Sequence, residues 1–174
     1  IDLLKNYPKT KRNLKLRGSE KTEEDREIAR KFDKEFFDGD RKNGYGGFSY
    51  HPKFWTPVIP TFQKHFRLDE NSRVLDVGCA KGFMIYDMSL LIPGIHLKGI
   101  DISEYAIKNA IQEMKPYVEV ANAKALPFED NSFDVVISIN TVHNLNRDDC
   151  GQALIEIERV SRGNSFITVD AYRN

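Results

Sequence analysis

From Arg73 onward, short apolar runs alternate with amphipathic ones, and this alternation constrains the fold more than any other feature. Arg73 to Val77, His96 to Asp101, Tyr117 to Ala121, Phe133 to Ile139 and Ser165 to Ala171 read as strands. Gly82 to Leu91, Glu104 to Met114 and Asp148 to Val160 read as the helices between them. In the second helix Ala106, Ile107, Ala110, Ile111 and Met114 share a face, and Ser103 can cap its start. In the third, Leu154, Ile157 and Val160 line the inner side. The run from Phe133 to Ile139 is almost continuously apolar, as a strand buried on both faces should be. Strands and helices that alternate with short connections imply parallel strands joined by right-handed crossovers.

The 174 residues suffice for one domain with a real core. Lysine plus arginine balance aspartate plus glutamate, 26 to 26, so no global charge draws the chain to nucleic acid or an anionic membrane. No apolar run approaches the length of a membrane span. Ile1 to Arg17 holds no apolar signal core. Two cysteines, Cys79 and Cys150, make no disulfide framework and fit a reducing cytoplasm. The chain begins with Ile rather than Met, as an ordered fragment of a longer protein would.

Residues 1–57 read as an N-terminal extension and residues 58–174 as the core domain. Lys5, Lys9, Lys11, Arg12, Lys15 and Arg17 face one acid, Asp2, which reads as a solvated arm or as one that touches a partner or anionic substrate. Residues 22–37 read as a helix that stops at Gly39. Thr22 and Asp25 resemble a capping box, and Ile28, Phe32 and Phe36 form one stripe that packs on the main domain. Glycine and proline prevent a regular element over 40–57. Its rings Tyr45, Phe48 and Tyr50 must pack on the domain or cover a ligand.

The chemistry concentrates in Val74-Leu75-Asp76-Val77-Gly78-Cys79-Ala80-Lys81-Gly82, at the turn from first strand to first helix. Open α/β sheets bind ligands at such carboxyl ends, and small residues let a ligand approach the backbone. A dinucleotide site needs G-x-G-x-x-G; counted from Gly78, its second and third glycines would be Ala80 and Phe83. A Walker loop needs a different glycine spacing and a lysine where Phe83 stands. Both phosphate readings, including a nicotinamide oxidoreductase, are therefore weak.

The segment instead resembles the first motif of class I S-adenosylmethionine-dependent methyltransferases, D/E-x-G-x-G-x-G, with Ala80 in place of the middle glycine. Gly99-Ile100-Asp101-Ile102-Ser103 matches the second. Asn122-Ala123-Lys124-Ala125-Leu126-Pro127-Phe128-Glu129-Asp130-Asn131-Ser132-Phe133-Asp134 closely resembles the family run D-A-x-x-L-P-F-x-D-x-S-F-D. The resemblance, to a type 11-like methyltransferase domain, implies a Rossmann-like parallel sheet in the order 3-2-1-4-5, with helices on both faces and the family's strands six and seven absent from this chain. It implies S-adenosylmethionine as cofactor and S-adenosylhomocysteine as product. The expected binding residues are Asp76, Gly78, Cys79, Ala80, Gly82, Asp101, Ile102, Asn122, Ala123 and Asn140. Asp76 suits the positive methionine end, Asp101 the ribose hydroxyls, Ile102 the adenine face and Asn122 the adenine amino group. In Asn122 an amide oxygen still accepts that hydrogen bond where the family has an acid.

His143, in Ser138-Ile139-Asn140-Thr141-Val142-His143-Asn144-Leu145, is the candidate catalytic base, since imidazole takes a proton near neutral pH. A histidine that only shapes the pocket is the competing reading. His51, His65 and His96 have weaker claims. The family's DNA amino-methylating enzymes carry [DN]-P-P-[FY] here, and Asn140-Thr141-Val142-His143 lacks both prolines. Neither cysteine follows proline, as a cytosine C5 nucleophile would, and no cluster has metal-ligand spacing. The expectation is methyl transfer to a small molecule, most plausibly at a hydroxyl oxygen of a sugar or nucleotide-sugar intermediate. The alternative is a non-catalytic cofactor-binding module that regulates or supports a partner. Tyr45, Phe48 and Tyr50 are expected to form a lid.

Overall fold

A computed structural model describes residues 1–9 and 22–169. Lys11, Arg12, Lys15 and Arg17 of the expected arm, and residues 170 and 171 at the expected end of the fifth strand, lie outside the described residues. Five strands form the sheet: β1 (Arg73–Val77), β2 (His96–Asp101), β3 (Val118–Val120), β4 (Val135–Ile139) and β5 (Ser165–Thr168). They pair in the order β3-β2-β1-β4-β5. Every pairing is parallel, with Asp76 beside Gly99 in β2 and Ile137 in β4. The sheet is thus the Rossmann-like α/β arrangement the alternation implies.

Six α-helices accompany it among the described residues: α1 (Glu23–Arg30), α2 (Lys34–Phe37), α3 (Ile59–Phe66), α4 (Phe83–Leu91), α5 (Glu104–Lys108) and α6 (Arg147–Val160). On one face of the sheet Val74, Val135, Ile137 and Val118 meet Ile59 and Phe62 of α3 and Met84, Ile85 and Met88 of α4. On the other, Leu75, Val77, Ile100 and Val136 meet Ala153, Ile157 and Val160 of α6. Each such large apolar side chain contributes roughly 1.5–3 kcal/mol on burial.

The described structure corrects several expectations. The helix expected over 22–37 breaks at Phe32, whose backbone is left-handed (φ 49°). The capping box at its start does form: the Thr22 hydroxyl accepts the Asp25 N–H at 3.1 Å, and the Asp25 carboxylate accepts the Thr22 N–H at 3.0 Å. The helix expected over 104–114 ends at Lys108, and a 3-10 turn over Gln112–Tyr117 follows, containing Pro116, which has no N–H to extend a helical ladder. Its expected apolar face survives, since Ala106, Ala110 and Met114 are buried. In α6 the inner row is Ala153, Ile157 and Val160, one turn apart, whereas Leu154 faces outward. The helix α3 lies in a stretch to which the sequence reading assigned no element; Pro60 in its first turn fits a helix start.

Residues 1–9 are not a solvated arm. Leu3 is buried in the first core, its carbonyl accepts the Thr61 hydroxyl at 2.6 Å, and Tyr7 meets Trp55 edge-on at 5.1 Å. The core therefore runs across residue 57. Among the described residues no helix is long and apolar enough to cross a membrane.

Candidate functional site

At the carboxyl ends of the strands lies a cavity of about 330 Å³. Gly78 and Ala80 after β1, Asp101 at the end of β2 and Ile102 after it, Asn122 and Ala123 after β3, and Asn140 and Thr141 after β4 line one side. Phe32, Phe36, Phe37 and Tyr45 of the N-terminal segment also line it. A larger groove of about 1080 Å³ opens near Arg73 and His96, at the amino ends of the strands. It contains none of the expected site residues, and ligands of open α/β sheets bind at the other end.

The β1 turn is tightly built. The N–H groups of Gly78 and Cys79 both donate to the Ile100 carbonyl, at 2.8 and 2.9 Å. Gly78 has φ 89°, and a Cβ there would stand 2.0 Å from the Thr141 hydroxyl oxygen, so only glycine fits. Ala80 holds a left-handed backbone as well (φ 50°), the conformation the family's middle glycine would adopt freely. Gly82 caps α4 from a left-handed conformation. Gly82 and Cys79 do not line the cavity; the Cys79 thiol is buried against Gly99, and burial pushes its pKa up.

Two carboxylates lie beneath this turn. Asp101 is fixed by two backbone donors, Ala80 N–H to Oδ2 at 2.8 Å and Ser103 N–H to Oδ1 at 2.9 Å. Each oxygen keeps capacity for a further hydrogen bond on the cavity side. Burial raises the Asp101 pKa. Asp76 is 5% exposed and accepts no hydrogen bond from the described residues. Burial, and then the charge of Asp101, push its pKa up to about 8. A buried carboxyl beside a second acid holds its proton to higher pH than an exposed one.

The loop after β3 is held by α6. Glu156 accepts the Leu126 N–H at 2.7 Å, and Arg159 donates to the carbonyls of Leu126 and Phe128 at 3.0 and 2.8 Å. The Asn122 side-chain oxygen accepts the Lys124 N–H at 3.0 Å and faces the cavity from that turn. Asn140 takes a left-handed backbone (φ 54°) and its N–H pairs with the Thr168 carbonyl at 3.0 Å. Phe32, Ala80 and Asn140 are three of the five non-glycine residues with positive φ among the described residues, and all three line this cavity. Such strain gathers where a surrounding structure fixes a site.

The N-terminal segment forms a cap. Tyr45 lines the cavity, whereas Phe48 stacks on Phe83 (4.8 Å between centroids) and Tyr50 donates its hydroxyl to Asp87 in α4. Thr56 donates to the same carboxylate at 2.9 Å. Burial, then Asp87, lift the Tyr50 phenol to about 12. Of the three expected lid residues, one therefore faces the cavity and two fasten the cap.

Of the expected binding residues, Gly78, Ala80, Asp101, Ile102, Asn122, Ala123 and Asn140 share the cavity wall. Asp76, Cys79 and Gly82 support it from behind. His143 does not line it, although its neighbours Thr141 and Asn144 do, and its Nδ1 is buried without a partner. The sequence reading missed Phe32, Phe36 and Phe37 as cavity residues, and the Asp38–Lys81 pair as a fastening. The i, i+4 spacing of Phe32 and Phe36 showed one stripe, but nothing local said that it faces a cavity.

A sequence profile described as "Methyltransferase domain" matches residues 75–169, more than half of the chain. O-methyltransferase rstn1 of Aspergillus nomiae is 32% identical, over 56% of this chain and 45% of that protein. The mitochondrial arginine-hydroxylase NDUFAF5 of Rattus norvegicus is 36% identical, over 49% of this chain and 24% of that protein. The crystal structure of MccD protein is 29% identical and superposes with a TM-score of 0.57, covering 72% of this chain and 57% of that one. The matched stretch makes up less than half of each of these curated relatives. With its motif spacing, its sheet order and this profile match, the chain belongs to the class I S-adenosylmethionine-dependent methyltransferase family.

Proposed function

We propose that this chain binds S-adenosylmethionine in the cavity at the strand ends and transfers its methyl group to a hydroxyl oxygen of a small molecule. The observation that carries the reading is the pair Asp76 and Asp101. One is a buried carboxyl with no partner, the other a carboxylate held in place by two N–H groups. Asp101, on the cavity wall, suits the ribose hydroxyls, and Asp76, behind the wall, would act on the methionine ammonium through its charge. Gly78 lets Thr141 close against the turn, and both residues line the cavity. Ile102 and Ala123 would flank the adenine, and Asn122 would accept from its amino group.

Bound there, S-adenosylmethionine would supply an electrophilic methyl carbon: the acceptor oxygen forms the new C–O bond as the C–S bond breaks, and the electron pair stays on sulfur as a thioether. The chain's own part is chiefly alignment of the two reactants. The rings of Phe32, Phe36, Phe37 and Tyr45 line the cavity and would limit the access of water to a bound ligand. His143 is the proposed acceptor of the hydroxyl proton.

One observation favours a second reading, a cofactor-binding module without catalysis: His143 is absent from the cavity wall. The protein with methyl-labelled S-adenosylmethionine, given a panel of hydroxylated metabolites that begins with sugars and nucleotide sugars, distinguishes the two. The first reading expects a product one methyl heavier. Binding with no product across the panel favours the module. A product that forms undiminished with His143→Ala keeps the transfer and removes the histidine as base.

A further inference from the structure

Lys81 follows Ala80 in the cofactor turn, and its ammonium is buried. Its Nζ donates to Asp38 Oδ2 at 2.6 Å and to the Phe48 carbonyl at 2.8 Å. It also stands 5.7 Å above the Tyr105 ring and 6.0 Å from that of Phe48. Asp38 gathers two further donors, the Phe48 N–H at 2.8 Å and the Tyr105 hydroxyl at 2.7 Å. Asp38 lies one residue beyond α2, directly after the cavity residue Phe37. The lysine thus reaches out of the cofactor turn and grips the cap at both ends of its loop. On the other side, the N–H of Ala80 is held by Asp101. A continuous chain of contacts therefore runs from Asp101 through the left-handed Ala80 to Lys81, Asp38 and the aromatic wall.

The Lys81 ammonium is buried while Asp38 keeps contact with solvent, so the pair costs desolvation of the lysine charge that an apolar contact of equal size would not. Its geometry ties one particular conformation of the turn to one position of the cap. We infer that Lys81 is a positioning residue that couples occupancy of the cofactor site to closure of the N-terminal cap. This rests on the cofactor reading above. A ligand on Asp101 fixes the turn, the turn fixes Lys81, and Lys81 holds Asp38 so that Phe36, Phe37 and Tyr45 close the cavity. The coupling is reciprocal, so a fastened cap also tightens the ligand.

Hydrogen exchange of the whole chain, with and without S-adenosylhomocysteine, tests it beside calorimetry of the same ligand. In the unaltered protein the ligand is expected to slow exchange over residues 36–50. In Lys81→Met that segment should exchange fast whether or not ligand is present, while β1, β4 and α6 stay protected. Affinity should fall roughly tenfold, as for a site coupling of ordinary size. Lys81→Arg should restore much of both effects, since it keeps the charge. Asp38→Asn, which preserves shape, should reproduce the loss and serves if Lys81→Met does not fold. Ligand binding to the unaltered protein with no response over 36–50 would overturn the coupling. So would a Lys81→Met cap that still responds to ligand. Failure of the unaltered protein to bind the ligand at all would instead overturn the cofactor reading.

Discussion

Replacing Asp76 by Asn should change how the affinity for S-adenosylhomocysteine depends on pH. Without ligand, burial and then the charge of Asp101 push the Asp76 pKa up to about 8. The ammonium of a ligand in the cavity favours the ionised form of the carboxyl behind the wall, so binding near neutral pH is expected to expel the carboxyl proton. With the free-state value at about 8, affinity should rise about tenfold, or about 1.4 kcal/mol, from pH 6 to pH 7, and level off above 8. Calorimetry at pH 7 in buffers of different ionisation enthalpy should register the release of about 0.9 proton. Asp76→Asn keeps the shape and removes the titration, so it should bind more weakly at pH 7.5 with no such slope. The sign for the unliganded fold is the opposite. A carboxyl whose pKa is raised from 3.8 to about 8 keeps a proton that the unfolded chain releases. Its contribution to stability is therefore fullest in acid, falls as pH rises from 3.8 towards about 8, and is level above that. A wild-type affinity flat between pH 6 and 7.5, or an equal slope in Asp76→Asn, would refute this argument.

Two further substitutions probe the frame of the site. Gly78→Ala should destabilise the chain by about 2 kcal/mol or more, since it combines a left-handed backbone with a clash on Thr141; an unchanged urea midpoint would contradict this. Tyr50→Phe should lose about 1.5–3 kcal/mol of stability by removing a donor to the Asp87 carboxylate, and thermal unfolding measures it.

The sheet was legible because its causes are local. Alternating apolar runs mark the strands and their parallel direction, a small-residue turn marks where a ligand can approach, and the motif resemblance implies the order that is observed. What was hidden depends on contacts far apart in sequence. Phe32 sits in a regular helical stripe, yet its backbone turns left-handed and divides the helix so that α2 can lie over the cavity. The stripe could not reveal that break, because an apolar period says which residues share a face and not where the backbone leaves the helix. Lys81 looked like a variable position within a motif, and Asp38 like the end of a helix. Their pairing across 43 residues exists only once the cap is folded onto the turn. Conversely, His143 drew attention by residue type, whereas the wall passes through its neighbours Thr141 and Asn144.

The central claim is that the cavity at the strand ends is an S-adenosylmethionine site with Asp101 on the ribose. Calorimetric titration of S-adenosylhomocysteine into the unaltered chain and into Asp101→Ala tests it most directly. The account predicts measurable binding by the first. For the second it predicts a loss of about 1.5–3 kcal/mol, or roughly 10- to 150-fold, with the fold intact by circular dichroism. No binding by the unaltered chain, or equal affinity in the two proteins, would contradict it.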